Sequence, residues 1–300
     1  MQPGNYTAHA LDFFLNTPEG KAHPRIYPRS VTGMMMALDA MQAGQKFLMP
    51  EYGRVFAPGT RRGDFRDLLR LPYPVCVLEY FCPELNKRDA DNVRLSDFFP
   101  KRRIAILLDT GQLPEFKGTS SDNTIMVVGC CEVEDGFWTF LPGAAILNPD
   151  TVDVNPETGL FSIIPAPFIE EAWDRPNYTF EEKVFDIGDE ATAAVEFMMT
   201  INCENVKRER IEPSAKLNRK REANGKLPFS SYWVLDVFKE QRERGAGQGG
   251  SHASPRMHFR RGHIRRLASG KTTFVRHTMV GSGEAGVVQK TYNLKGAHHG

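Results

Sequence analysis

Long apolar runs are missing from this 300-residue chain, and so is any basic cluster ahead of an apolar stretch near its start. Residues 1–18 hold no lysine or arginine, and the short apolar stretch at 10–15 carries Asp12. A spanning helix needs about 20 apolar residues, and a secretory leader needs a charged start followed by an apolar core. Neither pattern is present, so the expectation is a cytoplasmic protein without a membrane partner. Cysteine is sparse and unpaired in pattern: Cys76, Cys82, Cys130, Cys131 and Cys203 are odd in number and show no C-x-x-C spacing. They read as buried thiols and not as a disulfide framework or a zinc site. Cys130 and Cys131 are adjacent, which on a strand sends them to opposite faces and away from a shared metal. Nucleotide-loop glycines are also absent. Gly225-Lys226 and Gly270-Lys271 end like a P-loop, but Lys220 and Arg265 stand where the first glycine of that motif belongs. No cofactor and no metal is expected.

What is present is enough apolar material for a proper core, with 41% hydrophobic residues, and a charge distribution that the total conceals. Lys and Arg number 38 and Asp and Glu 37, a formal net charge of +1. Residues 1–200 hold 18 basic against 29 acidic side chains, which is −11, whereas residues 201–300 hold 20 against 8, which is +12. Such a split points to an acidic body, residues 1–204, and a basic C-terminal region, residues 205–300.

Periodicity fills in the body. Residues 30–44 place Val31, Met34, Met35, Leu38 and Met41 at helical spacing, with Ser30 as cap and Gly44 as stop. Strand patterns follow at 73–81, 104–108, 124–133 and 137–147, the last two joined by Asp135-Gly136, a favoured hairpin turn. The charged stretch 84–103 reads as an exposed connection. Residues 160–169 add a strand that Pro165 and Pro167 confine to an edge. Residues 189–202 read as the last helix of the body. Asp109 ends the 104–108 run and reads as a turn residue, and Glu170-Glu171 and Glu181-Glu182 read as solvated linker charges.

The basic region begins with residues 207–226, eight lysines and arginines with almost no apolar periodicity, so this stretch belongs on the surface. A strand is expected at 231–238, a glycine-rich flexible loop at 243–255, and a small meander at 263–292. The fold class is therefore α+β: a mixed or antiparallel sheet with flanking helices, plus a small C-terminal β-meander.

The densest chemistry lies at RMHFRRGHIRR, residues 256–266, with five arginines in eleven positions, followed by Lys271 and Arg276-His277. Arginine forks match phosphate oxygens, and Phe259, His258 and His263 add flat groups on which unpaired bases stack. The expected phosphate contacts are Arg256, Arg260, Arg261, His263, Arg265, Arg266, Lys271 and Arg276. Neutralising six phosphates makes affinity fall roughly a thousandfold between low and moderate salt. The competing readings are pairing of this run with the acidic body of the same chain and a merely solvated face. His258 and His263 are the candidates for acid–base chemistry, because histidine titrates near neutral pH. Their spacing lacks the i, i+4 of a zinc-protease helix.

Residues 216–228 (KLNRKREANGKLP) and 258–281 (HFRRGHIRRLASGKTTFVRHTMVG), with the closing GVVQKTYNL, resemble the C-terminal part of an uncharacterised family of phage and prophage proteins. The resemblance covers about the last third of the chain, and its motif residues are Arg260, Arg261, Gly262, His263, Arg265, Arg266, Gly270 and Lys271. It implies a viral or prophage origin, with the host cytoplasm as the compartment, and no particular reaction. Three functions follow as expectations: a protein that binds DNA or RNA through its basic region; a metal-independent nuclease or phosphotransfer enzyme with His263 as base and His258 as acid; or an interaction protein whose basic region docks on an acidic host protein or a second copy.

Overall fold

In the computed structural model, residues 4–56, 65–83, 100–113, 124–153, 161–237, 256–260, 263–275, 278–280 and 282–287 are described, residue 237 and the segments 256–260, 278–280 and 282–287 by backbone alone. Of the expected exposed connection over 84–103, residues 84–99 lie outside them, as does the glycine-rich loop at 243–255; residues 102 and 103 belong instead to a strand, where Arg103 is buried.

Runs of apolar and β-branched residues over β2 (Val75–Phe81), β3 (Arg102–Asp109), β4 (Ile125–Glu134) and β5 (Phe137–Leu147), with the short β1 (Gln45–Leu48) beside β2, form the centre of one sheet. It is completed by β6 (Ile164–Pro167), β7 (Val206–Ile211) and β8 (Tyr232–Val237), in the order β6-β5-β4-β3-β2-β1-β8-β7. β1 runs parallel to β2 and to β8; every other pairing is antiparallel. The sheet is thus mixed, as an α+β fold requires. The Asp135-Gly136 hairpin is present, with Gly136 at φ 83. β6 lies at the edge to which its prolines confine it. Because β7 and β8 pair into this sheet, it extends past residue 204 into the basic third.

Helices cover both faces. On one side lie α1 (Tyr6–Asn16), α2 (Pro18–Ile26) and α3 (Val31–Ala43), whose buried residues include Phe13, Phe14, Met34 and Met41 against Val77, Ile104, Ile106 and Trp138. Thr17 caps α2 by accepting the Gly20 N–H at 3.0 Å, and Pro18 takes the first helical position. α3 buries Met34, Ala37, Ala40 and Met41, while Met35 remains 46% exposed. Ser30 does not cap α3 as expected. Its hydroxyl donates to Glu171 at 2.8 Å and accepts the Glu170 N–H at 2.9 Å, so it ties α3 to the short helix α4 (Glu170–Trp173).

The opposite face is covered by α5 (Phe180–Ile201), with Ile187, Ala191, Ala194, Val195, Phe197 and Met198 buried. The sequence pattern covers only the second half of this helix. Its first turns expose Phe180 and Phe185 and carry no apolar stripe, and a capping box of Thr179 and Glu182 starts it at residue 180. Glu181 and Glu182 therefore open a helix and are not linker charges, and Glu171 binds Arg29 and Ser30.

Residues 215–223 form α6 (Ala215–Ala223), capped by Ser214. Beyond it, β10 (His263–Arg266) and β11 (Thr272–Val275) make an antiparallel hairpin. β9 (Arg256–Arg260) lies between β12 (Thr278–Val280), antiparallel, and β13 (Ser282–Val287), parallel. The expected meander is therefore two separate small sheets, because β9 inserts between strands that follow it in sequence.

Candidate nucleic-acid interface

The basic segment 207–226 is built on two elements. β7 is the free edge of the main sheet, and Lys207, Arg208, Glu209 and Arg210 along it are all exposed. Alternation puts Arg208 and Arg210 on the α5 side together with Leu235 and Trp233, their cross-strand partners. There the Arg210 guanidinium lies 5.9 Å from the centre of the Trp233 ring and donates to the Ser231 hydroxyl. Arg208 donates to the Tyr73 hydroxyl at 3.4 Å. Cations and half-buried aromatic rings therefore interleave at one end of the sheet. The same charges keep the edge from pairing with another strand, which is their minimal role.

α6 follows with Lys216, Arg219 and Lys220 exposed. Its one buried cation, Arg221, holds the helix to the body. Arg221 donates to Asp12 at 2.6 Å and to the Leu227 carbonyl at 2.7 Å, and its guanidinium lies 3.9 Å from the centre of the Phe229 ring.

The β10–β11 hairpin brings the second set. Ile264 and Phe274 pair across it and face the core, with Phe274 5.0 Å from Phe56. The Asn205 side chain donates to the Phe274 carbonyl and accepts the Phe274 N–H, both at 2.7 Å, which fixes the hairpin next to the start of β7. Of the eight expected phosphate contacts, the structure describes the side chains of four. Arg265 is exposed on the hairpin face away from Ile264, and His263 is half-buried on that same face. Arg266 pairs with Asp67 at 2.8 Å and Lys271 with Glu204 at 3.0 Å. Pairing with the acidic body thus takes Arg266 and Lys271. All four partners are well exposed, so each pair contributes only about 0–1 kcal/mol and yields readily to a phosphate. Of Arg256, His258 and Arg260 only the backbone is described, and Arg261 and Arg276 lie outside the described residues. His258 sits on β9 and His263 on β10, in different sheets, with Val280 and Val275 as their Cα partners.

The expected site residues lack Arg208, Arg210, Lys216, Arg219, Lys220 and the aromatic pair Tyr73 and Trp233. The signal for β7 was its V-x-x-x-x-I frame: Val206 and Ile211 are its two half-buried positions.

Two further polar constellations lie in the body. Arg103 on β3 makes a two-point contact with Glu190 on α5, at 2.7 and 2.9 Å, and reaches Asp189 at 3.4 Å; the Tyr80 hydroxyl also donates to Glu190, at 3.0 Å. Burial opposes the charge on Arg103, yet Glu190, Tyr80 and Asp189 hold the guanidinium well above its ordinary pKa. On the other face, a groove of about 590 Å³ is bordered by His9, Asp12, Arg102, Glu132, Trp138 and Lys226. Burial, then Arg221 and Arg102, pushes the His9 imidazole below its usual value, so it is neutral at pH 7. Asp109 accepts from the Gly111 N–H and the Gln112 side chain, as a turn residue does.

Among the described residues no group of three or more His, Cys, Asp or Glu side chains is placed to hold a metal ion, and no helix is long and apolar enough to cross a membrane. No family model, curated protein or solved structure matches this chain.

Proposed function

We propose that this protein binds nucleic acid, single strands in preference to duplex, through the basic C-terminal region, centred on β7 and the neighbouring β10–β11 hairpin. The observation that carries this reading is the edge strand, where Arg208 and Arg210 stand beside Tyr73 and Trp233. Single-strand binders combine a cationic track for the backbone with rings on which bases stack. Lys216, Arg219, Lys220 and Arg265 are further exposed cations of the basic third. The resemblance of the last third to phage and prophage proteins is compatible with such a role and adds no reaction to it.

The test is fluorescence anisotropy of labelled oligothymidylate and of a mixed duplex of equal length, across 50–200 mM salt. With about five phosphates engaged, affinity for the single strand falls roughly a hundredfold over that range. The R208E/R210E double variant lowers affinity at least tenfold while unfolding at the wild-type temperature, and Trp233→Ala weakens single-strand binding by about 1–3 kcal/mol. Unchanged affinity of R208E/R210E at matched salt, or no binding at 50 mM, refutes the reading.

A further inference from the structure

The main sheet has a notch. β1 ends at Leu48, paired with Glu79 of β2 and Val234 of β8, whereas β2 continues to Phe81 and β8 to Val237. All three strands point their carboxyl ends the same way. The chain leaves β1 for β2 on one side, while β8 occupies the other. Such a divergence at the carboxyl ends of parallel strands opens a crevice in which α/β proteins bind ligands. Here it is a cavity of about 400 Å³, within the size range of small-molecule sites.

Its wall is mainly apolar: Leu48, Met49, Pro50, Val55, Phe81, Val234 and Leu235. Three polar side chains interrupt it. Thr200 commits its hydroxyl proton to the Glu196 carbonyl at 2.7 Å. Glu51, exposed, opens the 3₁₀ turn Glu51–Gly53 that follows β1. Tyr6 is 3% exposed, and its hydroxyl has no hydrogen-bond partner among the described residues. A buried phenol without a partner is destabilising, and an acceptor supplied from the cavity would relieve it. Burial and then the Glu79 carboxylate raise the Tyr6 pKa, so the hydroxyl keeps its proton and donates.

The rim is fixed. Tyr52 and Gly53 are both left-handed, at φ 58 and φ 67, and a Cβ on Gly53 would stand 2.6 Å from the Ala193 Cβ. The Tyr52 hydroxyl donates to the Pro83 carbonyl at 2.9 Å, which ties the turn to the end of β2. No lysine or arginine is among the described lining residues, so the only formal charge there is negative.

We propose that this cavity binds a small arylalkylamine, with its ring between Leu48, Phe81 and Val234, an acceptor atom toward the Tyr6 hydroxyl, and its cationic alkylammonium nitrogen at Glu51. This site adjoins the basic edge strand, since Leu235 of its wall pairs with Arg208, but the proposal does not depend on the nucleic-acid reading.

The experiment is ligand-observed saturation-transfer NMR and calorimetry on the full chain with three probes that share one ring and one ether acceptor: 5-methoxytryptamine, 5-methoxyindole and 5-methoxyindole-3-acetate. The amine is expected to bind tightest and the acid weakest. Tyr6→Phe weakens the amine by about fivefold, the value of one hydrogen bond. Glu51→Gln removes the preference for the amine over the neutral probe, and Val55→Trp, at the half-buried edge of the wall, blocks all three. The variants are checked for native thermal unfolding. Absence of binding by every probe at millimolar concentration, tightest binding by the acid, or amine binding unchanged in both Tyr6→Phe and Val55→Trp overturns the proposal.

Discussion

A guanidinium carried into a protein core loses its hydration, and only a partner with matched geometry offsets that cost. Arg103 meets this condition through its two-point contact with Glu190, whose side chain is fully buried, while Tyr80 fills another lone pair of the same carboxylate. Removing one partner strands the other. Arg103→Met is therefore expected to lower unfolding free energy by roughly 3–5 kcal/mol. The R103M/E190M double variant, which leaves only the Tyr80 hydroxyl without its acceptor, recovers part of that loss. Urea melts at constant m-value measure both, and equal losses in the single and the double variant contradict the account. The cysteines make a second case at this scale. All five are buried and free. Burial pushes the pKa of Cys76, Cys82, Cys131 and Cys203 up to about 12, and raises that of Cys130 well above its ordinary value. The thiolate is the reactive form. At pH 8 a disulfide reagent such as dithiobis-nitrobenzoate is expected to modify none of the five in the native protein within minutes, and all five in denaturant. One fast-reacting native thiol would show that a cavity or an opening motion reaches that cysteine.

Helix α1 shows what a single long-range contact does for an element. Glu79, 1% exposed on β2, accepts the Asn5 and Thr7 N–H groups that a helix start leaves without partners, with its negative charge at the positive end of the helix dipole. Glu79→Ala leaves both N–H groups buried and unsatisfied. It is expected to cost about 2 kcal/mol and to speed amide hydrogen exchange in residues 6–16 more than in β3 or β4. Uniform acceleration across the sheet would mean that the helix does not open separately. This contact was invisible in sequence, since it joins residues 72 and 74 positions apart. The elements that sequence made legible are those whose signal is local: β2 to β5 by continuous apolar runs, their hairpin by Asp135-Gly136, α3 by its spacing, and the edge position of β6 by its prolines. Those it did not reveal take their form from a neighbour. β1 is four residues long and holds its place through β2 and β8. α1 carries Asp12 on the side where Arg221 and the Leu227 N–H meet it, which broke the apolar pattern. β7 reads as a charge run until its pairing with β8 is known. The cavity at the end of β1 was equally hidden, because Tyr6, Leu48, Val55, Thr200 and Val234 come from distant parts of the chain.

At the scale of the whole molecule, the acidic and basic parts of the chain share one sheet. β8 from the basic third pairs with β1 at Phe47↔Trp233 and Leu48↔Val234, and Phe274 of the hairpin enters the same core as Phe56. A division by charge near residue 204 therefore does not coincide with a division of the sheet. Cutting there would strip β1 of β8 and turn it into an edge strand with Phe47 and Leu48 uncovered, the condition that favours aggregation. A fragment of residues 1–204 is accordingly expected to be insoluble or to lose cooperative thermal unfolding. A fragment of residues 1–275 keeps β7, β8, α6 and the β10–β11 hairpin, and is expected to unfold in one transition within about 5 °C of the full chain, since a shift of that size corresponds to about 1–2 kcal/mol. Calorimetry of both fragments decides the matter. A soluble, cooperatively folding 1–204 would mean that the basic third is an appendage to a finished domain; failure of 1–204 with survival of 1–275 would mean that the cationic surface belongs to the fold that carries it, so that charge reversals at Arg208 and Arg210 can be read as changes in binding only alongside a measured melt.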